Sequence, residues 1–88
     1  MNNHKTKYFH QFVETYDGFL GFGWDRQTDE SSIICYLQMV SNDDLMKSLV
    51  TRLSDDEIQE IQMMVSGLLK KHLSDDEYHR LFLKDHAG

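Results

Sequence analysis

The chain has 88 residues, of which 40% are apolar, with no proline and a single cysteine. This length suits one small domain with a modest core, and the composition is typical of a helical protein rather than a disordered or all-β one. The formal net charge of -6 repels a phosphate backbone, so we expect no nucleic-acid partner. No run of residues has the length and apolarity that a membrane span needs, so we expect no membrane partner either.

The first predicted element is a helix from about His4 to Asp17. Apolar side chains recur in this segment at helical spacing, at Tyr8, Phe9, Phe12, Val13 and Tyr16. Such a stripe is typical of a helix face that packs against a core.

A glycine-aromatic loop follows, with Gly18, Gly21 and Gly23 interleaved with Phe19, Phe22 and Trp24. The glycine spacing superficially suggests a phosphate-binding loop, but no strand precedes it and no Lys-Ser/Thr pair follows it. Two interpretations remain: either the aromatic side chains plug the core, or some of them face solvent and anchor a partner. We take Phe19, Phe22, Trp24 and the adjacent Asp25 as the candidate partner-binding residues.

Residues 28–41 are the most ambiguous part of the chain. As a helix, the segment begins with Thr28 or Asp29 as its cap and has Ile33, Ile34 and Leu37 on one face. As a strand, residues 33–37 are rich in β-formers and pair with the preceding loop in a hairpin at about 19–40. We favour the helix because acidic residues occupy its first turn.

The second half of the chain contains a repeated helix start. Leu-Ser-Asp-Asp-Glu occurs at 53–57 and again at 73–77. In this pattern the serine caps the helix and the glutamate three residues later binds back to the serine amide. A weaker copy begins at Ser41. These signals predict three helices in series, the last from Ser74 to about Lys84 with Tyr78, Leu81 and Phe82 in the core.

Histidines and carboxylates near the last helix give an alternative site. His72, Asp75, Asp76 and His79 are close in sequence, and imidazole and carboxylate groups are common metal ligands. No HxxxH or HExxH pair is present, so we expect scattered surface histidines and keep a metal-responsive or ligand-responsive site as the weaker alternative.

Nothing in the chain has the pattern of a catalytic site. Cys35 lies in an apolar run without a histidine partner, which predicts a buried structural thiol. One cysteine forms no internal disulfide, and no signal peptide begins the chain, so we expect a reducing compartment, the cytoplasm. Nine acidic residues against three basic ones lie between Asp25 and Glu60, so the middle of the chain carries the negative charge.

The sequence therefore predicts a single domain, residues 1–88, with an all-α fold: a small compact bundle of four to five short helices, or alternatively an α+β fold with the hairpin. We expect a non-enzymatic protein without a cofactor that binds another protein or a second copy of itself. The predicted contact is the aromatic loop with an acidic rim.

Overall fold

The computed structural model describes residues 10–85, and this part of the chain is helical. The helices are α1 (Gln11–Thr15), α2 (Arg26–Val40), α3 (Asp43–Val50), α4 (Asp55–His72) and α5 (Asp75–Glu77), and α5 continues as a π-helix over Tyr78–Leu83. Residues 10–85 contain no strand. The all-α prediction is confirmed, and the alternative hairpin at about 19–40 is wrong because α2 occupies residues 26–40.

The chain divides between Thr51 and Arg52 into two compact units. The first unit contains α1, the aromatic loop, α2 and α3, and the second contains α4, α5 and the π-helix. The expectation that residues 1–88 form a single domain stays a prediction. No helix within residues 10–85 is long and apolar enough to cross a membrane.

In the first unit, α1 contacts α2 through the backbone N–H of Val13, which donates to Oε1 of Gln38 at 3.0 Å. The helix α1 ends at Thr15, two residues before the predicted end. The predicted beginning near His4, with Tyr8 and Phe9, lies outside the described residues.

The buried face of α2 is not the predicted one. Ser32 and Cys35 are the buried residues of this helix, whereas Ile33, Ile34 and Leu37 are exposed. The backbone N–H of Gly21, in the loop before α2, donates to the Ser32 hydroxyl. This bond holds the loop on the side of α2 that has the small side chains. The prediction that Cys35 is buried is confirmed.

Two predicted helix caps shift along the chain. The helix α2 begins at Arg26, and its cap is Asp25 rather than Thr28 or Asp29. The cap of α3 is Asn42 rather than Ser41, and its side chain makes no capping hydrogen bond. The Ser41 hydroxyl instead donates to the Leu37 carbonyl at 2.7 Å, so Ser41 belongs to the end of α2.

The second unit has the two capping boxes that the repeated phrase predicts. The hydroxyl of Ser54 accepts from the Glu57 N–H at 3.1 Å, and the Glu57 carboxylate accepts from the Ser54 N–H at 2.9 Å. Ser74 and Glu77 repeat the arrangement with the same distances. These reciprocal bonds fix where α4 and α5 begin.

The last helix departs from the prediction after its first turn. From Tyr78 to Leu83 it is a π-helix, and it ends at Lys84 in the left-handed conformation, with φ of 60°. Tyr78 is half-buried, but Leu81 and Phe82 are exposed. The prediction that all three are core residues is therefore wrong for two of them.

Candidate functional site

The side chains of Phe19, Phe22 and Trp24 form the aromatic surface of the first unit. Their exposed fractions are 63% for Phe19, 60% for Phe22 and 76% for Trp24. Single exposed apolar residues are common on proteins, whereas three exposed aromatic side chains within six positions concentrate apolar surface in one loop. The exposure favours the anchor interpretation over the core plug.

Hydrogen bonds hold the backbone between these side chains. The Gly21 N–H donates to Oγ of Ser32 at 2.9 Å, and the Gly23 N–H donates to Oδ1 of Asp29 at 2.9 Å. Both acceptors lie on α2, so two successive points of the loop are tied to the same helix. The aromatic side chains thus project from a fixed backbone.

The start of the loop is held by Tyr16, whose hydroxyl donates to the Phe19 carbonyl at 2.8 Å. The Tyr16 ring also stacks on Phe12 of α1, with ring centroids 5.7 Å apart. The loop is therefore connected to both α1 and α2.

Glycine is favoured at two loop positions for different reasons. Gly23 has φ of 87°, a conformation that L-residues with a side chain rarely adopt. At Gly21, a Cβ atom would lie 2.6 Å from the ring of Phe19, so Gly21 gives the Phe19 ring its space. These two needs account for Gly21 and Gly23 in the pattern that suggested a phosphate-binding loop.

The aromatic surface has two parts. Phe19 and Trp24 lie together, with ring centroids 6.1 Å apart, and with Thr28 they line one shallow depression. Phe22 lies edge-on to Tyr36 of α2, at 6.4 Å. Tyr36 is not among the residues predicted for this site, because its place beside Phe22 depends on how the loop packs on α2.

The second depression has a charged wall. Phe22 and Ile33 line it together with three charged residues of the first turns of α2, namely Arg26, Asp29 and Glu30. Arg26 donates to a Glu30 carboxylate oxygen at 2.7 Å, and both side chains are largely exposed. The charge of Arg26 is offset by its partner Glu30 in the same helix. Asp29 therefore gives this wall a net negative charge.

Asp25 has a defined structural role at this site. Its carboxylate accepts from the Thr28 N–H at 2.7 Å and so caps α2. This backbone hydrogen bond, helped by one from the Thr28 side chain, holds the pKa of Asp25 below its ordinary value. Asp25 is thus ionised at neutral pH and adds negative charge beside Trp24.

The alternative metal site is not assembled in the structure. His79 directs Nδ1 toward Asp85, at 3.2 Å from Oδ1, rather than toward Asp75 or Asp76. His72 ends α4. Across residues 10–85, no group of three or more His, Cys, Asp or Glu side chains is arranged to hold a metal ion.

Comparison of the chain with protein-family models, curated proteins and solved structures found no match in any of the three. The candidate site therefore rests on the geometry of the chain itself.

Proposed function

We propose that this protein is a non-enzymatic protein-interaction domain that docks a partner on the aromatic surface of Phe19, Phe22 and Trp24. The observation that carries the proposal is that Trp24 is 76% exposed although hydrogen bonds fix the backbone of its loop. A loop that collapsed for its own stability would bury its largest apolar side chain. Trp24 instead remains available to another molecule.

The fixed loop favours binding because little conformational entropy is lost when a partner docks. Tryptophan is also the residue type most enriched among those that contribute most binding energy. Phe19 lies against Trp24 on one side, so a partner side chain inserted there contacts two aromatic rings and Thr28. We therefore expect the Phe19–Trp24 depression to be the main anchor point.

The charge around the surface indicates the chemistry of the partner. Asp25 and Asp29 lie beside the aromatic residues, and the charge of Arg26 is offset by Glu30. A partner segment with one large apolar side chain flanked by lysine or arginine complements this arrangement. The proposed compartment is the cytoplasm, because the single buried thiol of Cys35 makes no internal disulfide.

Selection from a displayed library of random peptides tests the proposal. The wild-type chain is expected to enrich peptides that combine an aromatic or aliphatic residue with neighbouring basic residues. Trp24→Ala is expected to abolish the enrichment while leaving the helical circular dichroism signal unchanged. Phe82→Ala is the matched control, because Phe82 is also an exposed aromatic residue but lies in the second unit.

Two results contradict the proposal. The first is a wild-type chain that enriches no peptides. The second is enrichment that Trp24→Ala leaves unchanged, which moves the binding surface away from the aromatic loop.

A further inference from the structure

The helix α4 carries an apolar seam that its own unit leaves uncovered. The seam residues follow a heptad spacing of three and four positions, at Ile58, Ile61, Val65 and Leu68. Their exposed fractions lie between 44% and 52%. This spacing is that of the contact line between two paired helices.

A different face of α4 is partly buried within the second unit. Ser66, Leu69 and Leu73 surround a depression closed on its other side by Tyr78. At 100° per residue, this face lies about a quarter turn from the seam. No seam residue lines this depression, so the seam is free for another contact.

The charges on α4 are divided between its two ends. Its first turn contains Asp55, Asp56 and Glu57, and its last turn contains Lys70, Lys71 and His72. Two such helices side by side in the same direction bring like charges together at both ends. In opposite directions, each acidic end lies beside a basic end, which is the favourable arrangement.

We propose that α4 pairs antiparallel with α4 of a second copy of this chain. A two-fold axis near the middle of the helix relates the copies, as in most symmetric dimers. In this register Ile58 lies against Leu68 of the second copy, and Ile61 lies against Val65 of the second copy. Glu57 and Lys71 flank the seam on the same side, so each approaches the opposite charge of the other copy.

The size of the contact sets the expected strength. An 18-residue helix is about 27 Å long and about 10 Å wide, so pairing covers on the order of 300 Å² of each helix. This area belongs to the class of weak and transient interfaces. We therefore expect a concentration-dependent dimer rather than a permanent one.

This inference is independent of the proposed function. The seam lies in the second unit and the aromatic surface in the first. A variant that no longer dimerises through the seam can still be tested for peptide binding, and a variant that no longer binds peptides can still be tested for dimerisation.

Sedimentation equilibrium from low micromolar to near-millimolar concentration tests the pairing. The wild-type chain is expected to shift from monomer to dimer, and Val65→Asp is expected to raise the dissociation constant at least about tenfold by placing a charge in the seam. Met63→Asp is the matched control, because Met63 is exposed on the opposite side of the same helix. Circular dichroism of both variants checks that α4 is still formed.

Disulfide trapping tests the direction of the helices. With Cys35→Ala as background, a mixture of the Ile58→Cys and Leu68→Cys chains is expected to form a mixed disulfide-linked dimer in a glutathione redox buffer. Ile58→Cys alone is expected to remain unlinked, because the proposed register separates the two copies of position 58 by about 15 Å along the helix axis, which is beyond the reach of a disulfide.

Three results overturn the proposal. One is a wild-type chain that stays monomeric over the whole concentration range. Another is a dimer that Met63→Asp dissociates and Val65→Asp leaves intact. The third is trapping by Ile58→Cys alone.

Discussion

The backbone N–H of Gly21 donates to the Ser32 hydroxyl at 2.9 Å and thereby ties the middle of the aromatic loop to the buried side of α2. Ser32 is 2% exposed, so water does not readily replace this bond. The hydroxyl of one small side chain thus holds the backbone that presents Phe19 and Phe22.

Ser32→Ala is expected to release the loop without unfolding the unit. The substitution leaves the Gly21 N–H without its acceptor and is expected to cost about 1 kcal/mol of unfolding free energy. Hydrogen exchange at the Gly21 amide should accelerate. Ser31→Ala is the control, since Ser31 neighbours Ser32 on α2 but does not hold the loop. Equal exchange rates in the two variants would contradict the assigned role of Ser32.

The cap formed by Asp25 is expected to make the first unit sensitive to acid. The pKa of Asp25 is lowered in the folded chain by the Thr28 amide. The carboxylate therefore contributes stability above the unfolded pKa of about 3.9, and this contribution is lost as the pH falls through the lower folded value. The Asp25→Asn variant keeps a hydrogen-bond acceptor at the cap but has no charge to titrate.

Urea unfolding of wild type and Asp25→Asn from about pH 6 to about pH 2 measures this effect. The difference in midpoint between the two chains should shrink as the pH falls. A difference that is independent of pH would show that the charge of Asp25 adds nothing to the cap.

Cys35 is expected to report opening of the first unit. Its thiol is 1% exposed, so a thiol reagent reaches it only when the surrounding structure opens. Labelling in buffer should be slow and should become fast in denaturant. Rapid labelling of the native chain would contradict the packing around Ser32 and Cys35.

The capping box at Ser54 provides a test of whether residues 1–88 behave as one domain. Ser54→Ala removes the bond from the Glu57 N–H and is expected to cost about 1 kcal/mol. If residues 1–88 form a single domain that unfolds cooperatively, the variant should also accelerate labelling of Cys35 in the other unit. Unchanged labelling together with a lower melting temperature of α4 would mean that the units unfold separately.

Lys84 is expected to be a position where glycine stabilises the chain. It follows the π-helix in the left-handed conformation, which costs a residue with a Cβ atom about 1 kcal/mol relative to glycine. Lys84→Gly should therefore raise the melting temperature, while the control Lys84→Ala should not. If Lys84→Ala also raised the melting temperature, the stabilisation would come from removal of the lysine charge rather than from the backbone conformation.

The parts of the fold that local chemistry determines could be predicted from the sequence. The starts of α4 and α5 depend on a serine and a glutamate three residues apart, and both capping boxes form as expected. The exposed state of Trp24 could not be predicted, because the glycine-aromatic pattern is compatible with a plug and with an anchor. That choice depends on the bonds from the loop to Ser32 and Asp29 on α2, which form only once the loop has folded back on that helix.

The predicted buried face of α2 is also wrong, because the packed face depends on contacts with other segments of the chain. Apolar residues lie on more than one side of this helix, so hydrophobic spacing does not identify the packed face. Ser32 is buried because the loop binds its hydroxyl. The helix α1 contacts α2 through Gln38. The π-helix at Tyr78–Leu83 likewise has no signal in the hydrophobic pattern that distinguishes it from an α-helix.

The positive φ of Gly23 separates two kinds of mutational tolerance. In a library of all single substitutions scored for cellular abundance, position 23 should reject nearly every residue, because a side chain strains the backbone there. Position 24 should accept most residues in that assay and reject them only when the library is scored for binding. Selection would then act on backbone conformation at position 23 and on binding at position 24, although the two positions are adjacent.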